Sequence, residues 1–348
     1  MLRILHLFVY DKFTEAYIRF VTDNFTDSYH QFWVYGNKIN GVDGTFLRMK
    51  NVKYYRDIAK KLQSEKVGCY DKIIIHGFFD QGIVNFFFIN RKLLDKLYIY
   101  FWGGDKFYIA DFKNNLKRKY VINHARGIIN IIPEEKKFMR ENYRIKGKFY
   151  VARYYSYNII HMLEKLQGTK RVNCEECNIQ IGNSATPSNS HIFILRKLEK
   201  YKGENIKLYV PLSYGDRKYA KKVIEEGRKI FGDKFIPITA FYKESEYYEF
   251  LKQMDIAIFG MKRQQATGNI NAQIFWGKKV FLRENSILEH YFSHTRGCSV
   301  SSIEDIENMS YQQFISFTEK QKNNNIERMK EILDIELRIA EWNKIFND

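Results

Sequence analysis

The sequence predicts an α/β protein of two successive halves, each a parallel sheet with helices packed on its faces. Three observations predict it. Short apolar runs alternate with amphipathic stretches along most of the 348 residues, the pattern of repeated strand–helix–strand units. The alternation pauses near residues 154–172, where an aromatic stretch gives way to a polar one, and then restarts. Polar, glycine-containing segments follow the apolar runs, and such sheets hold their ligands beyond the carboxyl ends of the strands.

In the first half, apolar runs at 3–9, 31–35, 72–76, 97–102, 127–132 and 148–152 read as buried strands. The first run is too short for a signal peptide, lacks a small-residue cleavage site and soon meets Asp11. Between the strands, residues 14–25 place Tyr17, Ile18, Val21 and Phe25 on one helical face, and 51–63 do the same with Tyr54, Ile58 and Leu62. The second half repeats the scheme, with strands at 177–181, 206–210, 235–238, 255–259 and 279–282. Helices are predicted at 190–200, 218–231, 245–253 and 268–276. Ile326, Met329, Leu333, Leu337 and Ala340 recur at helical spacing and predict one long terminal helix, 326–346, returning to the first half. The resulting domains are 1–160 and 174–325, with 326–348 as the returning helix. Two such halves facing each other would enclose a cleft.

With 45% apolar residues the chain has material for two cores and is not a disordered polymer. No apolar run is long enough to span a bilayer, and the chain is expected to stay in the cytoplasm. The net charge of +17 implies an anionic partner: nucleic acid, an acidic membrane surface or a phosphorylated small molecule. No zinc finger, basic zipper or RNP-like aromatic pattern is present. The cysteines (Cys69, Cys174, Cys177 and Cys298) are too few for a disulfide framework. Cys174 and Cys177 form a lone C-x-x-C without two further ligands nearby, so no metal site is expected.

Four segments after strands of the second half carry candidate chemistry. Gly182, Asn183 and Ser184 begin a small polar loop that leads into a helix at His191. Its backbone N–H groups suit a phosphate, and they equally suit an ordinary turn with a Ser or Asn cap. Ser213 and Tyr214 follow the next strand, where the hydroxyl can meet a ligand and the ring can stack on a base; a plain turn is the alternative. The densest cluster is Arg263, Gln264 and Gln265, followed by Asn269 on a helix. A guanidinium fork beside a helix N-terminus stabilises a departing diphosphate, although a solvated basic loop has the same composition. Glu284 and Asn285 end the last strand, and a carboxylate there can accept from ribose hydroxyls or form a surface pair with Arg283. Neither a G-x-G-x-x-G nor a P-loop occurs.

In order, I-G-N-S-x-x-x-S-N-x-H, V-P-L-S-Y-G, R-Q-Q-x-x-G-N and L-R-E-N in the second half, with W-G-G-D at Trp102–Asp105 in the first, resemble glycosyltransferase family 56. Characterised members are TDP-N-acetylfucosamine:lipid II N-acetylfucosaminyltransferases. The resemblance implies a GT-B fold of two Rossmann-like domains, acceptor-binding first and nucleotide-sugar-binding second. It further implies an inverting hexosyl transfer from a TDP-sugar to an undecaprenyl-diphosphate-linked glycan in bacterial cell-surface polysaccharide assembly.

No D-x-D triplet, the metal anchor of GT-A enzymes, occurs anywhere, so a metal-independent site without cofactor is expected. Inversion requires one general base for the acceptor hydroxyl. Asp105, after two permissive glycines, is the first candidate; His76 and then Asp80, after an earlier strand, follow. A turn carboxylate and a buried core histidine are the bland alternatives. Residues 85–94 interleave aromatics with basic residues, which fits either a core helix or a peripheral contact with the anionic inner face of the plasma membrane. Two rivals remain: a GT-B transferase using a GDP- or UDP-sugar, and a non-enzymatic nucleic-acid binder, which leaves the polar loops at the strand ends without a role.

Overall fold

The computed structural model describes residues 1–38, 44–107, 111–169 and 175–348. The C-x-x-C reading falls partly outside them, at Cys174. The chain divides into two compact units, Met1–Tyr157 with Asp334–Asp348, and Asn158–Leu333.

In the first unit, strands β1 (Arg3–Val9), β2 (Tyr29–Tyr35), β3 (Val52–Tyr55), β4 (Lys72–His76), β5 (Leu97–Tyr100), β6 (Gly127–Asn130) and β7 (Lys148–Val151) form one sheet in the order β3-β2-β1-β4-β5-β6-β7. Every pairing is parallel. Helices α1 (Thr14–Asn24), α2 (Ile58–Ser64), α3 (Gln81–Ile89), α4 (Phe112–His124) and α5 (Glu135–Tyr143) connect the strands. Both faces of the sheet are covered, which is why its strands read as nearly continuous apolar runs. Leu5 and Leu7 of β1 enter one core with Ile73, Ile75 and Phe87; Ile4 and Phe8 enter the other with Tyr17 and Ile18.

The second unit opens with α6 (Tyr157–Gln167), whose first residue closes unit one. Its strands are β8 (Cys177–Ile181), β9 (Ile206–Pro211), β10 (Phe235–Ile238), β11 (Ile256–Phe259), β12 (Lys279–Leu282) and the short β13 (Ser301–Ser302). They form a second parallel sheet, ordered β10-β9-β8-β11-β12-β13. Helices α7 (His191–Leu198), α8 (Arg217–Phe231), α9 (Glu244–Lys252), α10 (Thr267–Phe275), α11 (Ile287–His290), α12 (Tyr311–Ile315) and α13 (Glu319–Leu333) surround it. The last helix, α14 (Ile335–Phe346), belongs to the first unit.

Two elements differ from the sequence reading. The helix expected at 51–63 is a strand followed by a helix. Val52–Tyr55 pairs with β2, with Phe32 opposite Val52, and Asp57 caps α2 by accepting from the Lys60 amide. Tyr54 therefore shares no helical face with Ile58 and Leu62. The single helix expected at 326–346 breaks at Asp334, whose carboxylate accepts from the Glu336 amide and starts α14 anew. Asp is a poor helix-interior residue and a strong cap. On the first unit Trp342 is fully buried, with Nε1 donating to the Arg153 carbonyl and its ring 4.8 Å from that of Tyr17.

Candidate active site

In both sheets chain order reverses at one point: consecutive strands step to one side of β1 or β8, and the next strand, β4 or β11, pairs on the other side. The two loops leaving such a pair diverge and open a crevice at the carboxyl edge. In the second unit those loops are the Gly182–Ser184 segment after β8 and the Gly260–Gln265 segment after β11. They are tied together. Gln265 Oε1 accepts from Ser188 Oγ at 2.7 Å, and its Nε2 donates to Asn183 Oδ1 at 3.3 Å. The amide of Gly182 donates to the Ile258 carbonyl at 2.9 Å.

Backbone conformation explains why these residues stand here. Gly182 has φ +68°, and a Cβ on it would stand 2.6 Å from His191 Nε2 and 2.7 Å from Asn189 Oδ1. Asn189, fully buried, organises the loop: its Oδ1 accepts from the Asn183 amide, and its Nδ2 donates to the carbonyls of Ser184 and Thr186. Tyr214, half exposed, accepts at its hydroxyl from Asn183 Nδ2, while Gly215 bridges to Ala185 with φ +112°. Ala266 stands in the left-handed region at the start of α10, with no side chain capping that helix. The amides of its first turn therefore point out of the helix, just after the segment that carries Arg263 in sequence. Burial lowers the pKa of the half-buried Arg263, a cation stripped of part of its water. Gln264 is buried and donates to Thr267 Oγ1.

Asn269 accepts from Gln180 Nε2 at 3.3 Å and from the Tyr247 hydroxyl at 2.6 Å. Gln273 donates in turn to Gln180 Oε1. Gln180 and Gln273 help hold Asn269 in place and escaped the sequence reading, because a buried amide inside a strand or helix has no local signature. Ser213 is half-buried at the end of β9, and Glu284 is exposed at the end of β12, where its amide donates to Glu304 Oε2. Arg283 pairs with Glu304 rather than with its neighbour. Asn285 has φ 54°, so its type is explained by the turn.

In the first unit the corresponding crevice lies between β1 and β4. Asp80 caps α3 by accepting from the Ile83 amide at 2.9 Å, and it is half-buried. Asp105 is fully buried. Its carboxylate accepts from the amides of Phe78 (3.0 Å), Trp102 (3.0 and 3.1 Å) and Gly103 (2.9 Å). His76 is buried within a chain of hydrogen bonds: Ser28 Oγ to His30 Nε2 (2.8 Å), His30 Nδ1 to His6 Nε2 (2.9 Å), His6 Nδ1 to His76 Nε2 (3.0 Å), and His76 Nδ1 to the Tyr154 hydroxyl (2.8 Å). Burial holds His76 and His6 well below the usual imidazole range and His30 at about 4.

The family of 4-alpha-L-fucosyltransferases, glycosyl transferase group 56, matches residues 3–295. The chain belongs to this family. Its fold is shared with solved glycosyltransferase structures at low identity. The α,α-trehalose-phosphate synthase (UDP-forming) of Burkholderia vietnamiensis superimposes with a TM-score of 0.70 at 10% identity, over 100% of this chain and 97% of that one. A glycosyltransferase of Rickettsia africae gives 0.69 at 13%, over 99% and 97%. Anabaena HepE in complex with UDP gives 0.67 at 12%, over 99% and 100%. The protein is a glycosyltransferase of GT-B fold, taking a sugar from a nucleotide carrier to a glycan acceptor.

For this group 56 transferase, two of the expected bases, Asp105 and His76, stand in surroundings that suit a structural role. Asp105 has its oxygens saturated by backbone donors and no exposure to an acceptor, and its own carbonyl accepts from Arg118 Nη2 at 2.6 Å. It pins the loops after β4 and β5 together. His76 has both nitrogens occupied and is a core histidine. The aromatic and basic stretch 85–94 also divides: Phe86, Phe87 and Leu94 are buried, whereas Ile89, Arg91 and Lys92 are exposed. Among the described residues no helix is long and apolar enough to cross a membrane.

Proposed function

We propose that this group 56 transferase moves a deoxy-amino sugar of the N-acetylfucosamine type from a TDP carrier to a lipid-linked glycan, with inversion at the anomeric carbon. The observation that carries the donor half is the crevice between the loops after β8 and β11. There the segment that carries the partly desolvated Arg263 and leads into the uncapped N-terminus of α10 is hydrogen-bonded, through Gln265, to the loop that begins at Gly182. As the bond between the anomeric carbon and the diphosphate oxygen breaks, negative charge builds on the leaving group. Fixed N–H dipoles and a guanidinium lower the energy of that charge with little reorganisation. Tyr214 and Ser213 flank the crevice from β9, and Glu284 stands one strand further on beyond β11, suited to a base and a ribose respectively.

A lipid-linked acceptor is supported by a second surface. On α4, Phe112 and Leu116 are exposed, 81% and 54%, and lie one turn apart. Tyr120, a turn later, packs on Phe88 of α3, whose last residue Ile89 is also exposed. Arg91 lies over the rings of Phe88 and Tyr120, and Lys92, Lys113 and Lys119 neighbour them in sequence. Neither α3 nor α4 contains a carboxylate, the nearest in sequence to Phe112 being Asp111, the cap of α4. Apolar side chains ringed by cations suit an anionic bilayer.

The donor reading is tested by thermal shift with TDP, UDP and GDP on the wild-type chain and on Arg263→Ala. TDP is expected to stabilise most, and Arg263→Ala is expected to lose about 10²–10³-fold in kcat/KM. A larger shift with GDP or UDP reassigns the nucleotide. Unaltered turnover in Arg263→Ala removes the diphosphate site from this loop. The anomeric configuration of the product, read by NMR, tests inversion.

A further inference from the structure

Most aromatic side chains of the first unit are buried, yet Phe13 and Phe79 keep 39% and 43% of their surface in water. Both stand at the carboxyl edge of the sheet, Phe13 after β1 and Phe79 after β4, on either side of its crevice. Both meet the same ring. Phe13 lies edge-on to Trp102 with centroids 6.1 Å apart, and Phe79 does so at 6.4 Å. Trp102 is a fixed shelf: its amide is held by Asp105, its Nε1 donates to the Tyr154 hydroxyl at 2.9 Å, and Gly77 lies beneath it. A Cβ on Gly77, which has φ +80°, would stand 3.3 Å from the indole.

A half-buried carboxylate accompanies this rim. Asp11 stands on the β1 side of the crevice, in the same turn as Phe13 and two residues before it. The Asp11 turn is built: its amide donates to Thr14 Oγ1 at 2.9 Å, Thr14 Oγ1 donates to the Val9 carbonyl, and Asp11 Oδ1 accepts from the Phe13 amide at 3.2 Å. Burial raises the Asp11 pKa despite the neighbouring Lys12, which makes the carboxylate a better proton acceptor than a solvated one. A saccharide ring has one face of C–H groups and an edge of hydroxyls. The first suits an aromatic shelf, and the second suits a carboxylate.

We propose that Phe13, Phe79 and Trp102 form a stacking platform for a hexopyranose ring of the acceptor, with Asp11 beside it as the general base. The inference rests on the sugar-transfer reading and adds the acceptor's site and the base to it. The acceptor hydroxyl gives its proton to Asp11, its oxygen forms the bond to the anomeric carbon, and the nucleoside diphosphate leaves with the electrons of the broken C–O bond. Asp80, the cap of α3, orders the Phe79 loop.

The test uses the full chain and methyl glycosides of glucose, galactose and N-acetylglucosamine as probes, with binding read by saturation-transfer NMR. Phe13→Ala and Phe79→Ala are expected to weaken the best glycoside about tenfold while the nucleotide-induced thermal shift stays at the wild-type value. Asp11→Asn keeps an oxygen for the Phe13 amide. It is expected to bind glycoside within about threefold of wild type and to lose about 10²–10⁴-fold in transfer. Glycoside binding that is indifferent to both phenylalanines overturns the platform, as does binding of an alkyl chain in preference to any sugar. Transfer that survives Asp11→Asn but not Asp80→Asn overturns the base. Absence of a nucleotide-induced shift in the wild type counts against the donor reading instead, since glycoside binding is measured without nucleotide.

Discussion

Asp105→Asn separates a structural carboxylate from a catalytic one. In the folded chain the Asp105 carboxylate receives three backbone N–H groups, those of Phe78, Trp102 and Gly103, at 2.9–3.1 Å. Asparagine keeps one acceptor oxygen and turns an NH2 group toward the remaining donors. One buried N–H is then orphaned, at about 1–3 kcal/mol, and the surviving bonds lose their charge assistance, about 1 kcal/mol each. The sum is about 3–5 kcal/mol, a large part of the 5–15 kcal/mol that stabilises a typical domain, ~10 at the centre. Three tryptophans, Trp33, Trp102 and Trp342, lie in the first unit, so urea unfolding followed by tryptophan fluorescence reports on it. The midpoint is expected to fall, while nucleotide still protects the second unit. A variant with the wild-type midpoint and turnover reduced a hundredfold or more would refute the structural account and restore Asp105 as the base.

Other perturbations follow from the same geometry. His30 titrates at about 4 in the fold and near 6.5 when unfolded. The unfolded chain therefore binds more protons between those values, and stability falls as pH drops through that window by about 1.4 kcal/mol per pH unit for this residue. His6 and His76, also held low by burial, act in the same direction. Denaturant midpoints at pH 7.5 and 5 are expected to differ, and His30→Gln is expected to flatten the difference; an unchanged pH profile in that variant speaks against it. Gly182→Ala combines a left-handed alanine, about 1–2 kcal/mol, with a Cβ 2.6 Å from His191 Nε2. Lower stability of the second unit and roughly tenfold weaker nucleotide binding are expected by calorimetry. Replacing Ile89, Phe112 and Leu116 together by serine is expected to reduce sedimentation with vesicles containing anionic lipid at least about tenfold. Turnover on water-soluble substrates is expected to stay at the wild-type level.

The sequence by itself determined the elements that depend on local pattern. Eleven of the described strands were legible as apolar runs within two residues of their final bounds, because strands buried on both faces need no alternation. The position of the loops proposed for the donor was legible too, since each follows its strand directly and a parallel sheet presents every such end on one edge. Val52–Tyr55 was not legible: four residues with one Tyr at helical distance from Ile58 fit either period, and only pairing with β2 chose the strand. The surroundings of Asp105, His76 and Asp11 were set by tertiary structure alone. A carboxylate or imidazole acts as a base only if a lone pair faces the substrate, and which donors already occupy that lone pair depends on backbone and side chains dozens of residues away. Phe78 holds Asp105 across 27 positions and His6 holds His76 across 70, whereas Asp11 is engaged only by its own turn.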